Sequence, residues 1–329
     1  MKPEVCVTEK EYYKAEPIFK GSSEFKCVPV PSQETALAEA ITKHRAFAAV
    51  IGVDRYNDKL YNVLPRGGII ARFGVGHDGI SKANATKGGI IVSNTPGVLD
   101  DSVAEHAIWL LGSLARQVAS HNTDMKADKW QPKLGLEMRA KILLVLGCGK
   151  IGCKVAKIAS FGFGMNVIGY DIAQLDAQEM KQKWGILQVF SSLDEAIARA
   201  DVISLHLPAT EATKHFVGKE FLMKMPKHAF LINTARGSII DEAALYDAVA
   251  ASRIAGAALD VFENEPYVPV DSEKDLRKLS TVLLTPHIGS STVEACKRMA
   301  HRVLANIKAC YERRFRQLDI LNPEVIDVL

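Results

Sequence analysis

The sequence is short of one-signed charge, of long apolar runs and of cysteine, and each shortage excludes something. Its 41 basic and 38 acidic side chains leave a net charge of only +3, too weak an imbalance to point to nucleic acid as a partner. No apolar run approaches the roughly 20 residues of a membrane-spanning helix, so no membrane partner is expected. The opening MKPEVCVTEKEYYK lacks the apolar core and small-residue cleavage site of a secretory leader, and a cytoplasmic setting is the expectation. The cysteines, Cys6, Cys27, Cys148, Cys153, Cys296 and Cys310, are too scattered for a disulfide framework. Cys148 and Cys153 have no second Cys or His pair at ligand spacing, so no metal site is expected. Internal repeats and low-complexity tracts are likewise missing. What remains is ordinary globular composition, 48% apolar and 24% charged, in a 329-residue chain with room for two domains.

Periodicity gives the layout. Short β-rich runs at Val5 to Thr8, Cys27 to Val30, Phe47 to Ile51, Gly68 to Arg72 and Ile90 to Ser93 alternate with amphipathic stretches such as Glu34 to His44. This is the rhythm of a parallel α/β sheet. After the turn cluster Asn94-Thr95-Pro96-Gly97, Ser102 and Glu105 have capping-box spacing before a helix with Val103, Ala107, Leu111 and Leu114 on one face. A boundary near residue 98 follows. The rhythm restarts with a strand at Ile142 to Leu146 and a helix at Lys150 to Phe161. Further strands are expected at Asn166 to Tyr170, Val202 to Leu205, Phe230 to Asn233, Ala255 to Leu259 and Val282 to Leu284, a doubly wound unit. A second capping box, Ser291 with Glu294, opens a long helix striped with Met299, Val303, Ile307 and Cys310. The segment from 290 to 329 is too short to be a domain, so it is expected to return to residues 1–98. Residues 99–289 are then an inserted unit, with the cleft between the two as the natural ligand site. With the chain ending at Leu329, no appended regulatory domain is expected.

Gly147-Cys148-Gly149-Lys150-Ile151-Gly152 fits G-x-G-x-x-G, and its context makes the match informative. Five apolar residues precede it as a strand, and Ile151, Val155, Ile158 and Ala159 follow at helical spacing. Gly147 permits the tight turn, Gly149 lets the backbone approach a pyrophosphate, and Gly152 allows close helix–strand contact. The phosphates would meet the N–H groups and positive dipole end of the helix. A phosphate-cradling P-loop does not fit, because Cys153 follows Gly152 and Val155 stands where Ser or Thr is needed. Asp171 ends the next strand, where a carboxylate can accept from the adenosine ribose hydroxyls and repel a 2'-phosphate. Ile172 and Ala173 after it offer no cation, so NAD is expected over NADP. A surface strand-end carboxylate is the plainer alternative.

Hydride exchange with a 2-hydroxy acid needs an acid/base, a cation for the carboxylate and a nicotinamide. Candidates lie where strands of the second unit end. Arg236, in Asn233-Thr234-Ala235-Arg236-Gly237, has the planar fork that suits a carboxylate. A structural partner for it would be an equally ordinary reading. His287, in Leu284-Thr285-Pro286-His287-Ile288-Gly289, becomes a stronger acid/base candidate if a carboxylate such as Glu265 fixes its tautomer and stabilises its cation.

The stretches Arg72-Phe73-Gly74-Val75-Gly76, the glycine fingerprint with Asp171, Asn233 to Gly237 with Asp241-Glu242, and Asp260-Val261-Phe262 through Pro286 to Gly289 occur in order along the chain. Together they resemble the D-isomer-specific 2-hydroxyacid dehydrogenase family, with phosphoglycerate and glycerate dehydrogenases among its members. The resemblance implies a Rossmann NAD-binding domain inserted into a discontinuous flavodoxin-like substrate domain. It implies Arg236, Glu265 and His287 as the catalytic set, with His287 as acid/base, Glu265 its partner, and Arg236 holding the substrate and polarising its carbonyl. It further implies cofactor contacts from Gly147, Gly149, Lys150, Ile151, Gly152 and Asp171, from His206, Pro208 and Thr213 around the adenosine half, and from Thr234, Ala235, Asp260 and Gly289 near the nicotinamide. Backbone N–H groups at Gly74, Val75 and Gly76 would receive the carboxylate of a small 2-hydroxy or 2-oxo acid, although a plain turn after a strand also explains those glycines. A homodimer through the helix starting near Ser102 is implied as well.

His77 and Gly79 depart from the family pattern, and Val53-Asp54-Arg55-Tyr56 is not diagnostic, so the acid is left open. Arg55 and Arg72 would suit a phosphorylated acid but read more simply as solvated strand-end charges. Glu265 argues against a formate dehydrogenase, where Gln takes that place; a phosphite dehydrogenase and a non-catalytic NAD-binding protein of corepressor type are the alternatives.

Overall fold

A computed structural model describes residues 2–329. The chain divides into two compact units, Met1–Leu99 with Ser290–Leu329, and Asp100–Gly289. The first holds a five-stranded parallel sheet of β1 (Glu4–Thr8), β2 (Lys26–Val30), β3 (Ala48–Ile51), β4 (Ile69–Arg72) and β5 (Ile91–Ser93), in the order β2-β1-β3-β4-β5. This is the flavodoxin-like order, whose direction reverses between β1 and β3. Every residue of β3, β4 and β5 is buried, as expected of strands covered on both faces. The Glu34–His44 helix lays Leu37, Ala38 and Ile41 inward and stops at Arg45, which adopts a left-handed conformation.

The returning segment completes this unit through buried asparagines. The Val293–Tyr311 helix buries Met299, Val303, Ile307 and Cys310, and its Asn306 donates to the carbonyl of Asn94 (2.9 Å). Asn322, with no exposed surface, accepts from Val92 N–H (2.8 Å) and donates to the Ile90 carbonyl (3.0 Å). This amide side chain, together with Leu321 N–H on the Val92 carbonyl (2.8 Å) and an antiparallel bridge between Ser93 and Ile320, covers the free edge of β5.

The second unit carries seven parallel strands: β6 (Ile142–Leu146), β7 (Asn166–Tyr170), β8 (Ile186–Phe190), β9 (Val202–Leu205), β10 (Phe230–Asn233), β11 (Gly256–Leu259) and β12 (Val282–Leu284). Their order, β12-β11-β10-β9-β6-β7-β8, is the doubly wound Rossmann order extended by one strand. Along β6, Leu144 and Leu146 enter one core and Leu143 and Val145 the other, so both faces are covered. The order reverses between β6 and β9, and the loops at their carboxyl ends form the crevice where such folds bind ligands. Gly147 (φ +93°) turns the chain there, and a Cβ on it would lie 2.7 Å from the His206 carbonyl oxygen. A Cβ on Gly152 would lie 2.0 Å from the Gly147 oxygen, so the helix sits directly on the turn.

Several sequence expectations need correction. The strand β8 was not foreseen: it is the sheet's edge, and its central Leu187 and Gln188 face solvent, which hides the apolar pattern. The first long helix starts at Asp100, so Ser102 lies inside its first turn and donates to the Gly289 carbonyl (2.9 Å) instead of capping. The last helix is capped by Thr292, whose hydroxyl accepts from Ala295 N–H, and not by Ser291. The helix after the glycine turn is α-helical over Lys150–Lys157 and ends in a π turn, Ile158–Gly162. Among the described residues no helix is long and apolar enough to cross a membrane, and no cluster of His, Cys, Asp or Glu is arranged to hold a metal ion.

Two loops of the second unit are pinned together where a site would need them. A Cβ on Gly237 would fall 1.8 Å from the carbonyl carbon of Phe262, so the chain after Arg236 lies against the turn that leads to Glu265. Glu263 N–H donates to Glu242 Oε1 (2.6 Å), Glu242 N–H donates to Glu263 Oε1 (3.2 Å), and His215 Nε2 meets Glu263 Oε2 (2.8 Å). Glu242 is 3% exposed, and among the described residues its Oε2 has no hydrogen-bond partner. Burial therefore pushes its carboxyl up from 4.5 to about 7, with Glu263 and Glu265 adding repulsion against the Glu263 N–H bond and the His215 ring.

Because the folded state holds this proton in the window between those values and the unfolded chain does not, stability falls as pH rises through it. Glu242→Gln keeps an acceptor for Glu263 N–H and cannot ionise. We expect the drop in melting temperature between about pH 5 and pH 8 to be smaller in Glu242→Gln than in the parent; equal slopes for both proteins would show that Glu242 does not titrate there.

Candidate active site

Strand β10 ends in a turn that presents Arg236. Asn233, wholly buried, accepts from Ala235 N–H (2.9 Å) and donates to the Arg236 carbonyl (2.8 Å), knotting the turn from inside. The half-buried Arg236 guanidinium donates through Nη1 to the Ala235 carbonyl (2.6 Å), which orients it. Thr234 is 9% exposed, and its Oγ1 is buried without a hydrogen-bond partner among the described residues.

Glu265 and His287 meet. His287 Nδ1 lies 2.7 Å from Glu265 Oε2, while Glu265 Oε1 accepts from Phe262 N–H (3.0 Å). The carboxylate can only accept, so Nδ1 carries the hydrogen of that bond and Nε2 is the nitrogen that can take up or release a proton. Both side chains are about one quarter exposed, so this dyad is open to solvent and to small molecules. His287 is held at φ +53°, a left-handed conformation, with its N–H on the carbonyls of Asp260 (2.8 Å) and Thr285 (3.0 Å).

Asp260 organises that segment from beneath. Only 1% exposed, its carboxylate accepts from Thr285 Oγ1 (2.6 Å), Ile288 N–H (2.8 Å) and Gly289 N–H (2.8 Å), and His106 Nε2 stands 3.3 Å away. Burial alone would push this carboxyl up, but the bonds from His106, Thr285 and Ile288 outweigh it and hold the group below its ordinary range. Sequence reasoning placed Asp260 and Gly289 beside a nicotinamide; both are tied into the support of the His287 segment. It did not single out His106 or Thr285, and it read Ser102 as a helix cap. The only sequence trace was that Ser102 and His106 are four apart, which puts them on one helical face.

The glycine loop has the features of a dinucleotide cradle. Nothing lies within 4 Å of a Cβ built on Gly149, the residue before the Lys150–Lys157 helix, whereas Gly147 and Gly152 are crowded by protein. Gly149 and Lys150 are exposed, and the first N–H groups of any helix lack an acceptor within it. Asp171 is partly exposed, accepting from Cys148 N–H (2.7 Å) through Oδ2 and from Ala173 N–H (2.8 Å) through Oδ1. Each oxygen retains a lone pair for a hydroxyl. At the carboxyl end of β9, burial pushes His206 down to about 4, so its ring is neutral and bonds Ser204 Oγ (2.9 Å). Thr213 Oγ1 donates to the Pro208 carbonyl (2.6 Å) and accepts from Thr210 N–H (2.8 Å), closing the turn between them. A dinucleotide therefore suits the residues present.

In the first unit, the Gly74–Gly76 loop leaves β4 on a buried guanidinium. Arg72 is 6% exposed, donating from Nε to the Gly76 carbonyl (2.8 Å) and from Nη1 to that of Phe73, so it is not the solvated strand-end charge expected from the sequence. Arg55 is exposed. The carbonyls of Gly74 and Val75 accept from Thr95 N–H (3.0 Å) and Asn94 Nδ2 (2.8 Å). In a trans peptide N–H and C=O point oppositely, so Val75 and Gly76 turn their N–H groups away from those partners. Gly74 N–H is engaged by the Arg72 carbonyl (2.9 Å).

Known proteins give this arrangement its context. Residues 108–289 match the family model described as "D-isomer specific 2-hydroxyacid dehydrogenase, NAD binding domain". A glyoxylate reductase of Korarchaeum cryptofilum is 36% identical over 304 residues, covering 91% of this chain and 89% of that protein. Among solved structures, an NADPH-dependent glyoxylate/hydroxypyruvate reductase of Sinorhizobium meliloti in complex with citrate superposes with a TM-score of 0.80 at 28% identity, covering 94% of this chain and 95% of that one. A D-lactate dehydrogenase of Aquifex aeolicus complexed with NAD and lactic acid gives 0.79 at 28%, covering 97% and 99%. With the motifs, both sheets and the full-length matches in agreement, this chain belongs to the D-isomer-specific 2-hydroxyacid dehydrogenase family and is an oxidoreductase that couples a nicotinamide cofactor to 2-hydroxy acids.

Proposed function

We propose that the protein reduces a small unphosphorylated 2-oxo acid of the glyoxylate or hydroxypyruvate kind with NADH, His287 serving as the acid. The observation that carries this reading is the 2.7 Å bond between His287 Nδ1 and Glu265 Oε2. It leaves Nε2 to deliver a proton to the carbonyl oxygen in reduction and to take it back in oxidation. Glu265 fixes the tautomer and balances the imidazolium. Arg236 holds the substrate carboxylate with its fork and polarises the carbonyl, and in the first unit Val75 and Gly76 carry backbone N–H groups suited to a carboxylate. The bound nicotinamide supplies or accepts the hydride. The names of the relatives support glyoxylate and hydroxypyruvate as the first acids to test.

We assign the cofactor as NAD. Asp171 stands at the end of β7 with Ile172, 97% exposed, and Ala173 behind it, so a 2'-phosphate would meet a carboxylate and no cation from this turn. The Lys150–Lys157 helix, with Gly149 before it, holds the pyrophosphate; His206, Pro208 and Thr213 border the adenosine half, and Thr234, Ala235, Asp260 and Gly289 the nicotinamide half. We also propose a homodimer through the Asp100–Ala115 helix and the stretch that follows it, where Trp109 (70% exposed), Trp130 (82%) and Leu134 (97%) are each left in water by a monomer.

Three measurements test these readings. The specificity constant for NADH should exceed that for NADPH, and Asp171→Asn, which keeps an acceptor for Cys148 N–H but loses the charge, should narrow the gap; a parent enzyme indifferent to the phosphate would remove this role of Asp171. For the acid/base, reductase kcat/KM should fall with rising pH and oxidase kcat/KM should rise through one shared ionisation, and His287→Ala should erase it and cut turnover by roughly a hundredfold or more. Retained turnover in His287→Ala would sink the mechanism. Sedimentation should show a dimer that Trp109→Asp with Leu134→Asp converts to monomers, and a monomeric parent at micromolar concentration would contradict the proposed interface.

A further inference from the structure

The acid/base histidine stands on a segment whose every anchor lies in this same unit, and two of those anchors come from one helix. In the Asp100–Ala115 helix, Ser102 and His106 are one turn apart and face the 285–289 segment. Ser102 Oγ donates to the Gly289 carbonyl (2.9 Å). His106 Nε2 lies 3.2 Å from Thr285 Oγ1 and 3.3 Å from Asp260 Oδ1. The Thr285 hydroxyl proton is already directed at Asp260 Oδ1 (2.6 Å), and the carboxylate can only accept. His106 Nε2 must therefore carry a hydrogen and donate to this pair.

His287 sits at the centre of the segment so fixed. Its N–H binds the Asp260 carbonyl, the next two N–H groups bind the Asp260 carboxylate, and its own φ of +53° is a conformation that a non-glycine residue keeps only when its surroundings impose it. We infer that Ser102 and His106 are positioning residues for His287, holding its imidazole on Glu265 by way of Thr285, Asp260 and Gly289. Neither side chain needs to touch substrate. Their effect is on where the proton donor stands, and a displacement of the order of 1 Å can cost about a hundredfold in rate.

The inference rests on His287 being the acid/base, so the experiment separates the two. Turnover of glyoxylate with NADH is measured for His106→Leu, His106→Gln and Ser102→Ala, each in the parent and in His287→Ala. In the parent, His106→Leu should lower kcat by roughly tenfold or more with a smaller change in KM, and His106→Gln, whose amide N–H2 can reach the same oxygens, should recover most of the loss. In the His287→Ala background the same substitutions should cost little further, because a group acting through His287 has nothing left to position. If His106→Leu does not fold, Ser102→Ala carries the test, with a fall of a few-fold in the parent and almost none in His287→Ala. Parent-like kcat in both His106→Leu and Ser102→Ala overturns the inference while leaving the acid/base reading intact, and so does the same fold-loss in both backgrounds, which marks a merely structural role. Parent-like turnover in His287→Ala alone overturns both.

Discussion

The buried carboxylate of Asp260 is the constraint on which the proposed active site of the second unit depends. A charge removed from water is expensive, and at 1% exposure this one is tolerable only because hydroxyl, imidazole and peptide donors surround it. Meeting that demand draws Thr285, Ile288 and Gly289 onto one side chain, and His287 is carried with them into a backbone conformation it would not otherwise adopt. The electrostatic satisfaction of Asp260 and the placement of His287 are here the same set of bonds.

Glu242 shows the opposite solution a short distance along the fold. One of its oxygens takes a backbone N–H, the other finds no donor, and the carboxyl is pushed up to about 7. Two buried acids in one unit thus differ in charge at neutral pH because one is ringed by donors and the other is not. The ionised acid fixes the histidine segment, and the one that still shares a proton near neutrality fastens the turn after Arg236 to the turn before Glu265. Each of the three polar side chains of the proposed site is in this way placed by buried polar groups that need never meet the substrate.

Much of this was legible in the sequence where the determinants are local. Alternating apolar runs gave the strands of both sheets, and Gly147, Gly149 and Gly152 marked the turn because their spacing reflects a single loop. The helix starts were off by one to three residues where several polar residues precede the apolar stripe, as in Asp100-Asp101-Ser102 and Ser290-Ser291-Thr292. Strand β8 escaped because an edge strand exposes its centre. Arg72 escaped for a deeper reason: whether a strand-end guanidinium is solvated or buried depends on the carbonyls of a loop folded back over it, which no window of sequence reports. The roles of His106 and Ser102 were hidden likewise, since their partners, Asp260, Thr285 and Gly289, lie far along the chain.

The asparagines that bind the returning segment to β5 also bear on the order in which the protein can assemble. Residues 100–289 form a unit from one continuous stretch, so all its strands are available once that stretch has been synthesised. The first sheet is made earlier but cannot satisfy its β5 edge until Leu321 and Asn322 have emerged. On a growing chain, the later-made unit is therefore free to finish folding first, while the earlier one waits with an open sheet edge. That exposed interval, and not the stability of the finished protein, is where a chaperone or an aggregating neighbour would act on it.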